Sequence, residues 1–328
     1  MCECLDEWVF QWSPICGIDP WQNLILFKQK RGKKKRMKKQ KIPSDIKIGI
    51  IGGSGIYNIE GLQNVKEYSI TTPFGKPSDN IIVGELEGKK VAFLPRHGRG
   101  HTISPTEINV HANIYALKLL GVEFLISLSA CGSLKEEIKP RDFVLPDQIY
   151  DRTKFRKPTF FGNGIVCHIS FAEPFCKNLR ELVYSCCKEL GIDAHYSGTY
   201  VCIEGPQFST KAESYVYRKL GFDIIGMTAI PEAKLAREAE LCYTTIGLVT
   251  DYDVWKEDHE VTIEEVLENM KVNTEKCKKL IKLVVKKIDI TQRECYCKDA
   301  LKHAVLTKKE RIKKQTYQKL KLLIEKYL

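Results

Sequence analysis

No apolar run in the 328 residues reaches the length of a membrane span. The order of a secretory signal is also missing. Aromatic-rich residues 1–27 come first and the Lys-rich stretch Lys28–Lys41 follows, the reverse of a charged start before an apolar core. The glycine-rich stretch at 52–55 is not followed by Gly-Lys-Ser/Thr, which excludes a Walker loop. The spacings of a dinucleotide fingerprint and of a nucleophile elbow are not met either. No internal repeat and no linker interrupts residues 46–290. The 13 cysteines are odd in number and lack the spacing of a small disulfide scaffold. Most are therefore expected as buried or free thiols of a cytoplasmic protein. Cys2, Cys4 and Cys16 have no fourth ligand at zinc-like spacing, so no metal is expected.

The charge excludes less than its size suggests. The chain carries a formal +11, but residues 1–45 account for +5 of it and residues 302–328 for +7, which leaves residues 46–301 nearly neutral. The body is thus not a basic surface built for nucleic acid. The stretch 28–41 has no interleaved aromatics for base stacking. No nucleic-acid or membrane partner is expected, and binding through the Lys-rich ends is the rival reading from a different class. Residues 1–45 read as a disordered basic extension, or as the product of an overcalled start, with Met37 as the alternative first residue.

What is present begins at Ile46–Tyr57, Ile-Lys-Ile-Gly-Ile-Ile-Gly-Gly-Ser-Gly-Ile-Tyr. The β-branched run predicts a strand covered on both faces. The glycines around Ser54 predict a turn whose free N–H groups and hydroxyl can seat an oxyanion. Downstream, strands are predicted over 80–87, 90–95, 122–128, 142–145, 195–203, 222–226 and 241–249. Helices are predicted over 105–120, 175–191, 209–220, 231–239 and 262–288. The alternation predicts one α/β domain over 46–290, with a mixed, largely parallel central sheet flanked by helices. Residues 291–328 follow as a C-x-C element and a basic amphipathic helix.

Ligands of such sheets gather beyond the carboxyl ends of the strands. Arg96-His97 follows the second hairpin strand and offers a permanent charge in a planar fork. Ser129-Ala130-Cys131-Gly132-Ser133 reads as a small-residue turn. Met227-Thr228 enters a helix whose N-terminus favours anions. Thr250-Asp251-Tyr252-Asp253 places two carboxylates at i and i+2 past a buried strand, where a polar heterocycle or a proton transfer gives them a purpose. Together these ends describe a seat for an anion beside a group to be protonated.

The same motifs carry a resemblance. Gly52-Gly53-Ser54-Gly55, Thr72-Pro73-Phe74-Gly75, Arg96-His97-Gly98-Arg99, Ala130-Cys131-Gly132-Ser133, Ala172-Glu173-Pro174-Phe175, Glu204-Gly205-Pro206-Gln207-Phe208-Ser209, Met227-Thr228 and Thr250–Trp255 come in order. Residues 46–290 resemble the methylthioadenosine phosphorylases of the trimeric purine nucleoside phosphorylase family.

The resemblance implies the nucleoside phosphorylase fold and phosphate-dependent cleavage of 5′-methylthioadenosine. Phosphate is a co-substrate, and no cofactor or metal is needed. A homotrimer or a dimer of trimers is implied. It also implies that Ser54, Arg96, His97, Ser129, Ala130 and Thr228 hold phosphate. Met227 lies on the ribose, while Phe208, Ala130 and Cys131 line the purine, with Ser209 close by. Asp251 faces N7 as general acid, a task for which its pKa must rise on burial, and Asp253 faces the 6-amino group. His168, Ile263, Val266 and Leu267 surround the 5′ substituent. A broader purine nucleoside phosphorylase, taking adenosine, inosine or guanosine, is the alternative within the family. Cys295-Tyr-Cys297 resembles a C-x-C disulfide of thermophilic archaeal members. Cys176 and Cys242 are candidates for a longer-range bridge, against the alternative that all are thiols.

Overall fold

The computed structural model describes residues 42–53, 56, 58–256 and 262–328, all within one unit that runs from residue 41 to Leu328. The expectations for the N-terminal extension, for Cys2, Cys4 and Cys16, for Met37 and for Ser54 lie outside the described residues.

Among the described residues eleven strands form one sheet. They are β1 Ile48–Gly52, β2 Gln63–Tyr68, β3 Ile81–Leu86, β4 Lys89–Pro95, β5 Phe124–Ser133, β6 Phe143–Val144, β7 Gln148–Arg152, β8 Ala194–His195, β9 Thr199–Ile203, β10 Ile224–Gly226 and β11 Cys242–Asp251. Along the main path the order is β2-β3-β4-β1-β5-β10-β9-β7, with β11 and then β6 and β8 branching from β5. β1 is parallel to both neighbours, Ile48 lying opposite Val91 on one side and Phe124 on the other. Its five residues are all buried, as the unbroken apolar run requires. Burying an Ile side chain of this kind stabilises by about 1.5–3 kcal/mol.

The helices are α1 Val110–Leu119, α2 Lys177–Glu189, α3 Lys211–Lys219, α4 Ala229–Glu238, α5 Ile263–Lys287 and α6 Lys314–Ile324. Two apolar layers cover the sheet. One contains Ile114 and Leu117 of α1, Leu235 and Ala236 of α4, and Leu320 and Leu323 of α6. The other contains Leu179 and Val183 of α2 with Leu280 and Ile281 of α5. The mixed, mainly parallel sheet between helices is the architecture expected from the sequence. Among the described residues no helix is long and apolar enough to cross a membrane.

Four boundaries differ from expectation, each for a physical reason. β5 does not stop at Leu128. It runs on to Ser133, because Gly247, Leu248 and Val249 of β11 pair with Ser129, Ala130 and Cys131 along that stretch. The small residues read as a turn are strand. The first helix starts at Val110, not Pro105, because Asn109 caps it by accepting from the Ala112 N–H. Residues 195–203 form two strands, β8 and β9, separated at Gly198, whose φ is +146. β2 and β7, rich in polar and exposed residues, were not expected as strands.

The C-terminal residues are built into the body. Cys167 bridges Val305, the His168 N–H donates to the Ala304 carbonyl, and the Leu306 N–H donates to the Val166 carbonyl. α6 buries Leu320, Leu323 and Ile324. None of the described cysteines forms a disulfide. The two pairs expected as separate bridges instead fall into one four-sulfur cluster.

Candidate active site

β4, β5 and β11 run parallel and point to the same edge, where the short antiparallel β10 meets the end of β5, and that edge holds most of the expected groups. Arg96, directly after β4, makes four hydrogen bonds. It is 3% exposed, and its Nε and Nη2 donate to the two oxygens of Glu232 at 3.0 and 3.1 Å. Nη1 donates to the Leu128 carbonyl at 2.9 Å and Nη2 to Ser127 Oγ at 2.5 Å. Glu232 is fully buried and also accepts from Tyr243 Oη at 2.9 Å. The fork expected to face phosphate is thus occupied by a carboxylate. Its charge is compensated inside the protein, and one Nη1 hydrogen remains outside these four bonds.

Beside it, two hydroxyls meet. Ser129 Oγ lies 2.9 Å from Thr228 Oγ1 and 2.9 Å from Tyr200 Oη. Thr228 is the N-cap of α4 but makes no cap hydrogen bond, so its hydroxyl is turned to Ser129. This brings together three of the expected phosphate residues, Arg96, Ser129 and Thr228. His97 follows Arg96, with Nδ1 2.9 Å from the Ile103 carbonyl and its ring 4.3 Å from that of His101. Burial, with the Arg96 charge adding to it, pushes the His97 imidazole down to about 4. It is neutral at pH 7, donates from Nδ1 to the carbonyl, and keeps a lone pair on Nε2.

Across β5, at the end of β11, stand the two aspartates. The register between β5 and β11 shifts between Val249 and Asp251, which sets Asp251 opposite Gly132. A Cβ on Gly132 would lie 2.9 Å from Asp251 Oδ1, so glycine is what lets the carboxylate lie against the strand. Asp251 Oδ1 accepts from the Asp253 N–H at 2.8 Å, and Oδ2 is 2.6 Å from Thr250 Oγ1. Thr250 Oγ1 also lies 3.2 Å from the Cys131 carbonyl. One hydroxyl proton cannot serve both acceptors. Thr250 donates to one or the other, so its hydroxyl ties the Asp251 carboxyl to the end of β5.

Asp253 is buried, in the left-handed region at φ +53, and its Oδ2 has no hydrogen-bond partner. Such a backbone in a non-glycine residue marks a site held by its surroundings. Burial pushes its carboxyl up to about 6, and the Asp251 charge adds to the rise.

The remaining expected residues divide. Cys131 is buried and Ala130 is exposed. Met227 lies against Gly205, its Sδ 2.4 Å from where a Cβ would be. Ser209 Oγ is buried without a partner. Phe208, Ile263 and Leu267 are 71%, 70% and 59% exposed, Val266 is half-buried, and His168 is exposed on the segment paired with Ala304. Among the described residues of a single chain these five do not close a pocket.

Three sets of supporting residues escaped the sequence reading. Glu232 neutralises Arg96. Asn269 and Asn273 of α5 donate to the Thr250 and Val249 carbonyls at 2.7 and 2.9 Å, holding the irregular end of β11. Two asparagines at i and i+4 on the buried face of an amphipathic helix are the signal that could have found them. Arg156 donates from Nη1 to the Met227 and Ile230 carbonyls and from Nη2 to the Glu204 carbonyl, while its Nε pairs with the Glu204 carboxylate at 3.0 Å. It ties the loop before Phe208 to Met227.

Known proteins match this architecture. Residues 47–286 match the phosphorylase superfamily. The chain is 53% identical over 281 residues to S-methyl-5′-thioadenosine phosphorylase of Koribacter versatilis, covering 85% of this chain and 96% of that protein. It is 57% identical over 262 residues to the protein of the same name from Hyperthermus butylicus, covering 79% and 95%. A crystal structure of methylthioadenosine phosphorylase from an antarctic soil metagenomic library superposes with a TM-score of 0.83 at 46% identity, covering 86% of this chain and 99% of that one.

Proposed function

The chain belongs to the phosphorylase superfamily, and from that premise we infer that it is an S-methyl-5′-thioadenosine phosphorylase. Phosphate and 5′-methylthioadenosine are converted to adenine and 5-methylthioribose 1-phosphate. What carries the reading at the site is the pairing, on one sheet edge, of the Ser129–Thr228 hydroxyls with the Asp251–Asp253 carboxyls.

In this reading a phosphate oxygen attacks C1′ as the C1′–N9 bond breaks, and the bonding electrons leave with the base. Adenine is a poor anion, so a proton delivered to N7 as the bond breaks lowers the barrier. Asp251, held in place by the Thr250 hydroxyl and the Asp253 N–H, supplies it. Asp253 accepts from the 6-amino group, for which it must be ionised, and a pKa of about 6 leaves it ionised at pH 7. Ser129, Thr228 and Ser54 hold phosphate. Arg96, compensated by Glu232, fixes the strand end that carries Ser129, and His97 stands at the rim. No metal or organic cofactor takes part, and phosphate is co-substrate. Two carboxyls facing the base favour a 6-amino purine over a 6-oxopurine.

Adenine release should require phosphate. Chromatography of reactions run with and without phosphate checks this, and equal release in its absence would make the enzyme a hydrolase.

The assembly in this proposal is a cytoplasmic homotrimer or dimer of trimers. Phe155, Phe208, Ile263 and Leu267 are all more than half exposed in the single chain. Covering them between subunits would complete the base and 5′ pockets, with the His168 segment positioned to contribute. Light scattering on active enzyme should give a trimer or a hexamer, and an active monomer would overturn this.

A further inference from the structure

At the end of β11 opposite Asp251, four cysteine sulfurs converge. The Sγ atoms of Cys176, Cys242, Cys295 and Cys297 all lie within 4.8 Å of one another. They come from three distant parts of the chain. Cys176 is the N-cap of α2, Cys242 opens β11, and Cys295 and Cys297 flank Tyr296 in a short 3₁₀ turn. Cys176, Cys242 and Cys297 are buried and Cys295 is half-buried.

We propose that these four thiolates bind one zinc ion as a structural site that anchors the C-terminal segment to the enzyme body. A tetrahedral zinc with Zn–S bonds of about 2.3 Å has sulfur–sulfur edges of roughly 3.8 Å. The observed separations bracket that value, from 3.1 Å for Cys242–Cys295 up to the 4.8 Å limit. Four sulfur ligands fill the coordination sphere, which leaves no open position for catalysis. The all-thiolate set suits zinc better than magnesium or calcium, which take oxygen.

The surroundings fit a centre of net charge −2. Arg293 Nε donates to Cys242 Sγ at 3.4 Å, and its Nη2 is anchored to the Glu240 carbonyl. The Arg237 guanidinium lies 4.7 Å from the centroid of Tyr296, between the two turn cysteines, and its Nη1 is buried without a partner. Cys176 makes no cap hydrogen bond, so its sulfur is turned to the other three at a helix N-terminus, which favours an anion. Hydrogen bonds of this kind to ligand sulfurs are what stabilise a charged thiolate centre.

The ion would fix Cys295–Cys297 against α2 and β11. Eight residues further on, Val305 bridges Cys167 beside His168. The anchor therefore bears on the segment that carries His168, from the far end of the sheet.

The full chain, expressed in zinc-supplemented cells and purified without chelator, should contain about one zinc per chain by elemental analysis. In denaturant with chelator and no reductant, all 13 cysteines should titrate as thiols. Cobalt(II) added to chelator-stripped protein should give the absorption bands of a tetrahedral thiolate site at about one cobalt per chain. Cys295→Ser/Cys297→Ser should lower zinc content at least about tenfold. The metal analysis and the cobalt spectrum of the native chain decide the matter even where that variant does not fold. Protein with less than about a tenth of a zinc per chain, bound iron in its place, or a count of only nine thiols, signalling two disulfides, would overturn the proposal.

Discussion

Asp251→Asn is expected to lower kcat/KM for methylthioadenosine by about 10²–10⁴-fold and to affect inosine far less. The amide keeps the shape, and its carbonyl oxygen can still accept from the Asp253 N–H. It cannot release a proton to N7, and adenine leaves badly without one. Inosine offers a carbonyl at position 6, where an amide that both donates and accepts is a better match than a carboxylate. The measurement is the ratio of kcat/KM for the two nucleosides in native and variant enzyme. A similar loss on both would reduce Asp251 to a structural residue. A loss confined to KM would mean that it binds adenine without protonating it.

The largest effect on stability is expected at Glu232→Ala. Arg96 is 3% exposed and Glu232 fully buried, so the variant strands a guanidinium out of water. Breaking a buried pair from one side costs about 3–5 kcal/mol. Tyr243 Oη loses its acceptor at the same time. The stranded cation sits next to the Ser129–Thr228 hydroxyls, since Arg96 holds the carbonyl of the residue before Ser129. Phosphate should therefore raise the melting temperature of the variant by more than it raises that of the native enzyme, because only in the variant does the anion supply a missing countercharge. Thermal melts over a phosphate series check both parts. A variant that melts like the native protein would show that the pair contributes little. An equal phosphate response in both would place the anion away from Arg96.

Legibility in the sequence followed the range of each interaction. The buried run at Ile48–Ile51 and the pair Asp251–Asp253 were readable because their logic is local: a β-branched stretch, and two carboxyls at i and i+2. Arg96 was found as a residue but not as a contact, since its partner Glu232 lies far along the chain and nothing around Pro231 announces it. Ser129–Ser133 was misread as a turn because serine and glycine have weak strand preference. Pairing with β11 overrides that preference. β2, with the sequence Gln-Asn-Val-Lys-Glu-Tyr, has no apolar face of its own and is a strand only because β3 offers it an edge. The four cysteines were noticed in pairs. No spacing rule links Cys176 and Cys242 to the C-x-C turn, and only the fold brings them within reach.

β5 is the strand on which the sheet divides, hydrogen-bonded to β1, β10 and β11. That position has a consequence for how the chain comes into being. As synthesis proceeds, β5 can pair with β1 early, but its other edge must wait until Cys242–Asp251 has been made. Through that interval a long, almost wholly buried strand presents unpaired backbone groups and apolar side chains to whatever is near, the condition under which nascent chains associate wrongly. Distant pairing of this sort is also slow, since the loop is closed before any contact repays it. The two halves of the site come into register in the same event, so a chain interrupted before β11 is complete lacks the paired carboxyls of Asp251 and Asp253 at that strand's end.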